Sequence, residues 1–407
     1  MATGLDRIVI VGGGIGGVST ASALRAGGYA GQLTLVDAGE FPYDRPPLSK
    51  DYLAGTKDLE QIALQPPEWY DDNAIALRTL TPVAALRSTE GGVELGDGTV
   101  LPADRVVLAT GGQAARPPIP GADSDRVHVL RSSDDADRLR KALTPGARVL
   151  VVGAGLIGAE VASTAIDLGC EVVLVDPVPL PLAAAVGPDV AAWLHGAHTA
   201  RGVDTVLAGV ESFTDTETGI EAVLGGETEP RTFDVVVLGV GMVPATALAE
   251  AAGLEVDRGI VVDPGQVTSN PAVLAVGDPT RVRRDGVLAP RAEHWEAAQH
   301  DGQRAAATIL GTPPPAVTAS WFWTDRHHNH VEAVGRMAAA EQTVIRGELG
   351  DPTFSAFGLR DGRVVGAVAV DDSTAVRAAR RMIDRAVTVD ASRLADTSTD
   401  LRKLLRG

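Results

Sequence analysis

Two stretches of this chain repeat one another. Arg7-IVIVGGGIGGVSTASALRAGG runs into LTLVD, and Arg148-VLVVGAGLIGAEVASTAIDLG runs into VVLVD. Each places a β-branched apolar run, a glycine turn, a helix of small residues, a second apolar run and a closing acid in the same order, which predicts a Rossmann-type β-α-β start twice over. In the first, Gly12, Gly14 and Gly17 fit G-x-G-x-x-G, with Ile15 opening the helix. Glycines there allow a tight turn, close backbone approach to a pyrophosphate, and a helix pressed against its strand. The helix N-terminus then faces the anion. Asp37 closes the next strand about 20 residues on, where an acid accepts hydrogen bonds from ribose hydroxyls. The second repeat supplies Gly153, Gly155, Leu156, Ile157 and Gly158, with Asp176 as its acid. Asp176 would repel a 2′-phosphate, and no Lys or Arg follows it before Arg201, so the second loop is expected to take NADH rather than NADPH.

Around the repeats the chain reads as α/β. Val93–Val100 forms a hairpin about Asp97-Gly98, and Asp104-RVVLATGG is a buried strand running into a glycine turn. Phe233-DVVVLGVGMVP, with Gly241 in its turn, is the matching piece after the second repeat. The first dinucleotide domain is therefore expected to be interrupted by the second, occupying 1–116 and 245–315 around 117–244. Its later part holds Gly259-IVVDPGQVTSNPAVLAVGD and a helix near Glu296. Beyond the stiff Thr312-Pro-Pro-Pro315 linker, 316–407 reads as an α+β module with a strand at Arg363-VVGAVAV and a basic helix from Ala375.

With 407 residues and a net charge of −17, several domains are expected and nucleic acid is an unsuitable partner, since neutralising phosphates takes a basic face. Apolar runs stop short of the roughly 20 residues of a membrane span, and no export signal is visible at the start. A single cysteine, Cys170, allows neither an intrachain disulfide nor a Cys-x-x-Cys redox pair, which suits a cytoplasmic protein. Cys170 is expected to be a buried filler. His327, His328 and His330 raise a metal-site reading, with 328 and 330 on one strand face, but no cysteine supports it.

The chain resembles the FAD-dependent ferredoxin reductases of cytochrome P450 and ring-hydroxylating dioxygenase systems, within the glutathione-reductase-like flavoproteins. Beyond the two loops, the matching pieces are Tyr43-Asp-Arg-Pro-Pro-Leu-Ser-Lys50, Ala109-Thr-Gly-Gly-Gln-Ala-Ala-Arg116, Gly277-Asp278, Glu293-His-Trp295 and Trp321-Phe-Trp-Thr-Asp325. The resemblance implies FAD on the first loop and NAD(H) on the second. It sets Lys50 beside the flavin, with Arg45 and Pro47 shaping the pocket. Further FAD contacts fall to Val83, Ala109, Thr110, Gly111, Arg116, Gly277 and Asp278, and Glu293, His294 and Trp295 lie against the ring system and nicotinamide. If Lys50 is buried it needs a counter-charge, and Glu160 on the second glycine helix is the candidate.

The sequence also departs from that family. Arg326-His-His-Asn-His330 replaces its Gln and aromatic, and Leu180 and Ala184 stand where two arginines of its NADH loop are usual. The reading that follows is hydride transfer from NADH to FAD and release of single electrons to a 2Fe-2S ferredoxin, by a monomer or homodimer. Arg281, Arg283, Arg284, Arg326, Arg377, Arg380, Arg381 and Arg385 are candidates for the docking patch. Two rivals stand: an NADH oxidase or biosynthetic oxidoreductase acting directly on oxygen or a small molecule, and an NADH-sensing interaction module.

Overall fold

The computed structural model describes residues 4–87 and 91–405. Met1, Ala2 and Thr3, part of the start read for an export signal, lie outside the described residues. The described residues gather into two compact units. One is drawn from Met1–Arg45, Lys57–Gln113 and Met242–Ala316, the other from Pro46–Thr56, Ala114–Gly241 and Val317–Gly407.

In the first unit, five parallel strands lie in the order Val273–Ala275, Arg105–Leu108, Arg7–Val11, Gln32–Val36 and Ile75–Arg78. Strands covered on both faces read as continuous apolar runs, and Ile8, Ile10, Leu33, Leu35 and Val107 are all buried. The helix Ile15–Ala26 packs on this sheet through Gly16, Gly17, Ser19, Thr20 and Ala21, whose small size lets the helix Trp295–Leu310 lie across it. The helix ends on Gly311 in the left-handed conformation, as a C-terminal cap requires. The expected hairpin is present, with Val93 opposite Leu101 and Glu94 opposite Val100.

In the second unit the same layout recurs with the strands Asp204–Leu207, Glu171–Asp176, Arg148–Val152, Val235–Leu238 and Val127–Val129, again all parallel. The helix Leu156–Asp167 occupies the place of its counterpart and buries Gly158 through Ala165. Cys170 is buried after this helix, its thiol against the Thr144 carbonyl, and burial pushes the thiol up. The C-terminal part is a five-stranded antiparallel sheet, Trp321–Arg326, Asn329–Gly335, Arg363–Val370, Phe354–Arg360 and Gln342–Arg346 in spatial order, with the helix Ser373–Asp384 packed on it. No helix among the described residues is long and apolar enough to cross a membrane.

Candidate functional site

At the first loop, Gly12 has φ +112° and sends the chain from its strand into the helix that starts at Ile15. A Cβ on Gly17 would collide with the Gly12 carbonyl oxygen, so helix and turn touch backbone to backbone. Gly14 is the N-cap, without a side-chain cap, and a Cβ there would meet nothing within 4 Å. The helix therefore presents its first uncapped N–H groups to open space that only glycine leaves clear, a cradle suited to a pyrophosphate. Asp37 accepts from the N–H of Gly13 and from that of Gly39 at 2.5 Å.

The second loop repeats this geometry feature by feature. Gly153 has φ +96°, a Cβ on Gly158 would collide with the Gly153 carbonyl, and Gly155 is an uncapped N-cap open to space. Asp176 accepts from the N–H groups of Ala154 and Val178, both at 2.7 Å. Each acid thus braces its own glycine turn, a role the sequence reading did not assign. A carboxylate offers about four lone-pair sites, so capacity for ribose hydroxyls remains. Both loops fit a dinucleotide.

The contrast between Gly158 and Gly155 predicts separable effects. Gly158→Ala is expected to destabilise the second unit by about 3 kcal/mol or more, because two backbones must part. Gly155→Ala has an ordinary φ of −67° and should leave stability within about 0.5 kcal/mol. It should nonetheless weaken NADH binding about tenfold, or 1.4 kcal/mol, by filling the cradle. Thermal unfolding beside NADH titration separates the two.

Lys50 follows the short 3-10 turn Pro46–Ser49 and sits with its side chain 15% exposed. Its Nζ lies 2.8 Å from Asp325 Oδ2, 3.5 Å from Glu160 Oε1, and 5.5 Å from the centre of the Trp323 ring. Glu160 is 4% exposed and saturated with donors. Ser49 Oγ donates to its Oε2 at 2.5 Å, and Thr324 Oγ1 and the Asp325 N–H donate to its Oε1 at 2.7 and 3.2 Å. The structure therefore brings Lys50 and Glu160 together, but the shorter ion pair is with Asp325. Burial works to raise the Asp325 carboxyl, yet hydrogen bonds from Lys50 and His330 outweigh it and hold the group below its ordinary value. Asp325, Thr324 and Ser49 went unassigned in the sequence reading. The only signal for Asp325 was the Thr-Asp that ends Trp-Phe-Trp-Thr-Asp325.

Other expected residues are placed as follows. Trp295 opens its helix and donates from Nε1 to Asp44 at 2.7 Å, with His294 as N-cap. Burial lowers the His294 imidazole. Glu293 accepts from Arg291 at 2.6 Å. Gly277, at φ +77°, donates its N–H to the buried Asp301, whose carboxyl burial pushes up to about 6. Asp278 follows half-buried, and Val83 stands in a small antiparallel sheet opposite Leu95. Thr110 donates to the Ala245 carbonyl, and Gly241 accepts from the Ala115 N–H. Arg116 directs its guanidinium to the carbonyls of Ala122 and Val127, Arg45 is exposed over Tyr43, and Pro47 caps the turn before Lys50.

Two expectations need correction. His328 is not on a strand. His327 and His328 form the two-residue turn between Arg326 and Asn329, at φ +52° and +62°, a left-handed pair usually given to Asn-Gly. The three rings go to different partners, His327 to His198, His328 to Asp167 and His330 to Asp325. No cluster of metal-ligating side chains occurs among the described residues. Arg326 is 4% exposed, so it cannot join a docking patch. Arg281 and Arg283 make surface ion pairs with Asp257 at 3.0 Å and Glu255 at 2.6 Å.

Residues 6–302 match the family model for pyridine nucleotide-disulphide oxidoreductases, and 321–405 match that for the reductase C-terminal domain. The ferredoxin–NAD(+) reductase component of an anthranilate 1,2-dioxygenase system from Burkholderia cepacia is 37% identical, over 98% of this chain and 99% of its own length. Putidaredoxin reductase CamA from Pseudomonas putida is 35% identical over 98% and 97%. Among solved structures, the covalent putidaredoxin reductase–putidaredoxin complex superposes with a TM-score of 0.91 at 33% identity, covering 98% of both chains. The ferredoxin reductase for the CYP199A2 system of Rhodopseudomonas palustris gives 0.92 at 31%, covering 98% and 99%. A chain with two intact glycine loops, one cysteine and this C-terminal sheet thus belongs to the pyridine nucleotide-disulphide oxidoreductase family, in its group of ferredoxin–NAD(+) reductases.

Proposed function

We propose that this protein carries electrons from NADH through FAD to a 2Fe-2S ferredoxin that serves a P450 or another oxygenase, in a cytoplasmic setting. The observation that carries the reading is the pair of open glycine cradles, each braced by its own acid, in a chain alike over its whole length to ferredoxin reductases. A single buried cysteine leaves no thiol pair for disulfide chemistry. The proposed division is an FAD-binding domain of 1–116 and 245–315, an NAD-binding domain of 117–244, and a C-terminal domain of 316–407.

A bound FAD would accept a hydride and hand on single electrons. The chain's own part is positioning and electrostatics. The N–H groups ahead of Ile15 and Leu156 bind phosphate, and Asp37 and Asp176 hold ribose hydroxyls while keeping the turns rigid. Lys50, held between Asp325 and Glu160, supplies a cation beside the flavin, as the family resemblance implies. Within the first unit, residues from the Asp278 and Trp295 pieces would complete the FAD contacts.

Anaerobic stopped-flow with NADH and NADPH, then with ferredoxins, tests the proposal. NADH should bleach the flavin well ahead of NADPH, and Asp176→Ala should narrow that preference about tenfold by removing the carboxylate that faces a 2′-phosphate. A flavin that NADH leaves oxidised overturns it.

A further inference from the structure

His330 has no part in the function proposed above, yet its ring closes on the carboxylate that holds Lys50. The two residues of the hairpin turn fix a register in which Asp325 and His330 are directly opposed. His330 Nδ1 lies 2.5 Å from Asp325 Oδ1, while Lys50 Nζ lies 2.8 Å from Oδ2. One carboxylate thus serves both groups, each on its own oxygen. On its other side, His330 Nε2 lies 3.5 Å from Glu332 Oε1. Glu332 is itself anchored, accepting from Trp321 Nε1 at 2.7 Å and from Ser373 Oγ. Asp371 completes the surroundings by accepting the His330 backbone N–H at 3.3 Å. The charged groups about the ring are therefore Asp325, Glu332 and Asp371, with Lys50 and Glu160 one step further.

Exposure decides which member of this chain of contacts meets solvent. The His330 side chain is 40% exposed, against 15% for Lys50 and 5% for Glu160. With both nitrogens protonated, the ring donates to Asp325 and Glu332 together. Once it loses a proton, Nδ1 keeps the short contact and Nε2 turns a lone pair on Glu332. Asp325 then keeps Lys50 as its cationic neighbour in the relay.

We propose that His330 is a positioning residue: acting through Asp325, its protonation sets how Lys50 is shared between Asp325 and Glu160, and so transmits solvent pH to the cation beside the flavin. The inference rests on the FAD and NADH reading above, and it concerns a histidine in the segment that departs from the resembling family.

Two readouts on the FAD-loaded protein test it. In protein with labelled histidine and lysine, NMR should show the Lys50 ammonium shifting with the same midpoint as the His330 ring, and His330→Gln should abolish that shift. The flavin's reduction potential, followed against pH, should carry an inflection at that midpoint, lost in His330→Gln and also in Asp325→Asn. A Lys50 signal indifferent to the His330 titration, or an inflection that survives in His330→Gln, overturns the proposal. Its failure is distinct from failure of the function, because the NMR coupling is read without NADH, whereas NADH that never bleaches the flavin sinks only the reductase reading.

Discussion

Glu160→Leu is expected to destabilise the second unit by about 3–5 kcal/mol, among the largest effects of any single substitution in this chain. The carboxylate is buried at 4% exposure and accepts from Ser49, Thr324 and the Asp325 N–H while facing Lys50. Leucine fills the volume but strips the Thr324 hydroxyl, the half-buried Asp325 N–H and the better acceptor of Ser49, at about 1–3 kcal/mol for a donor left unpaired, and leaves Lys50 with one carboxylate in place of two. Glu160→Gln keeps an acceptor at Oε1 and should cost clearly less. Hydrogen exchange along Leu156–Asp167 and Trp321–Arg326 checks this locally, which suits a protein of two units where one global unfolding energy is ill defined. Equal protection in wild type and Glu160→Leu would show that Asp325 alone balances the lysine.

Acid is expected to loosen the same unit. His198 and His327 share a 2.8 Å hydrogen bond in the interior, at 1% and 6% exposure. Burial first, and then the neighbouring Arg326 for His198 and Arg201 for His327, press the two imidazoles down to about 3 and about 4. An unfolded histidine titrates near 6.5, so between that value and the folded ones the unfolded chain binds more protons. The stability these neutral rings allow is complete above about 6.5 and drains as pH falls toward 4 and then 3. At pH 5 each ring forfeits about 2 kcal/mol, or about 4 for the coupled pair. Asp301 in the other unit acts with the opposite sign. Its carboxyl is raised to about 6 by burial, so acidification from neutral to pH 5 returns about 1 kcal/mol there. Exchange protection against pH should therefore fall in Pro188–Ala200 and Trp321–Arg326 while Trp295–Leu310 holds. His327→Asn, which suits the left-handed turn and does not titrate, should blunt the loss. A flat profile from pH 7 to 5 would mean that the pair protonates without cost.

How much could be read before the structure follows from the range of each interaction. The two glycine loops were legible because the close approaches of Gly17 to Gly12 and of Gly158 to Gly153 are made within a few residues along the chain. Their acids were legible in place but not in full role, since the bonds that Asp37 accepts from Gly13 and Asp176 from Ala154 depend on two parallel strands being side by side. Lys50 with Glu160 was anticipated from the family resemblance together with the need of a buried lysine for a counter-charge, whereas Asp325, separated from Lys50 by 275 positions, was marked only by the end of its Trp-Phe-Trp-Thr-Asp run. The histidine turn was misread as strand because two histidines carry none of the usual chemistry of a left-handed turn. Basic residues misled for a related reason. Nothing in the order of residues reveals that Arg283 meets Glu255 or that Arg326 is interior.

The segment Pro46–Thr56 belongs to the second unit although the chain on both sides of it belongs to the first. During synthesis this has a timing consequence. Lys50 emerges 110 residues before Glu160 and 275 before Asp325. At ~5–20 residues per second, Asp325 follows Lys50 on the order of 15–55 s later. The first unit cannot close until the chain as far as Ala316 has been made, so the early glycine loop waits, half built, on strands and a helix still to come.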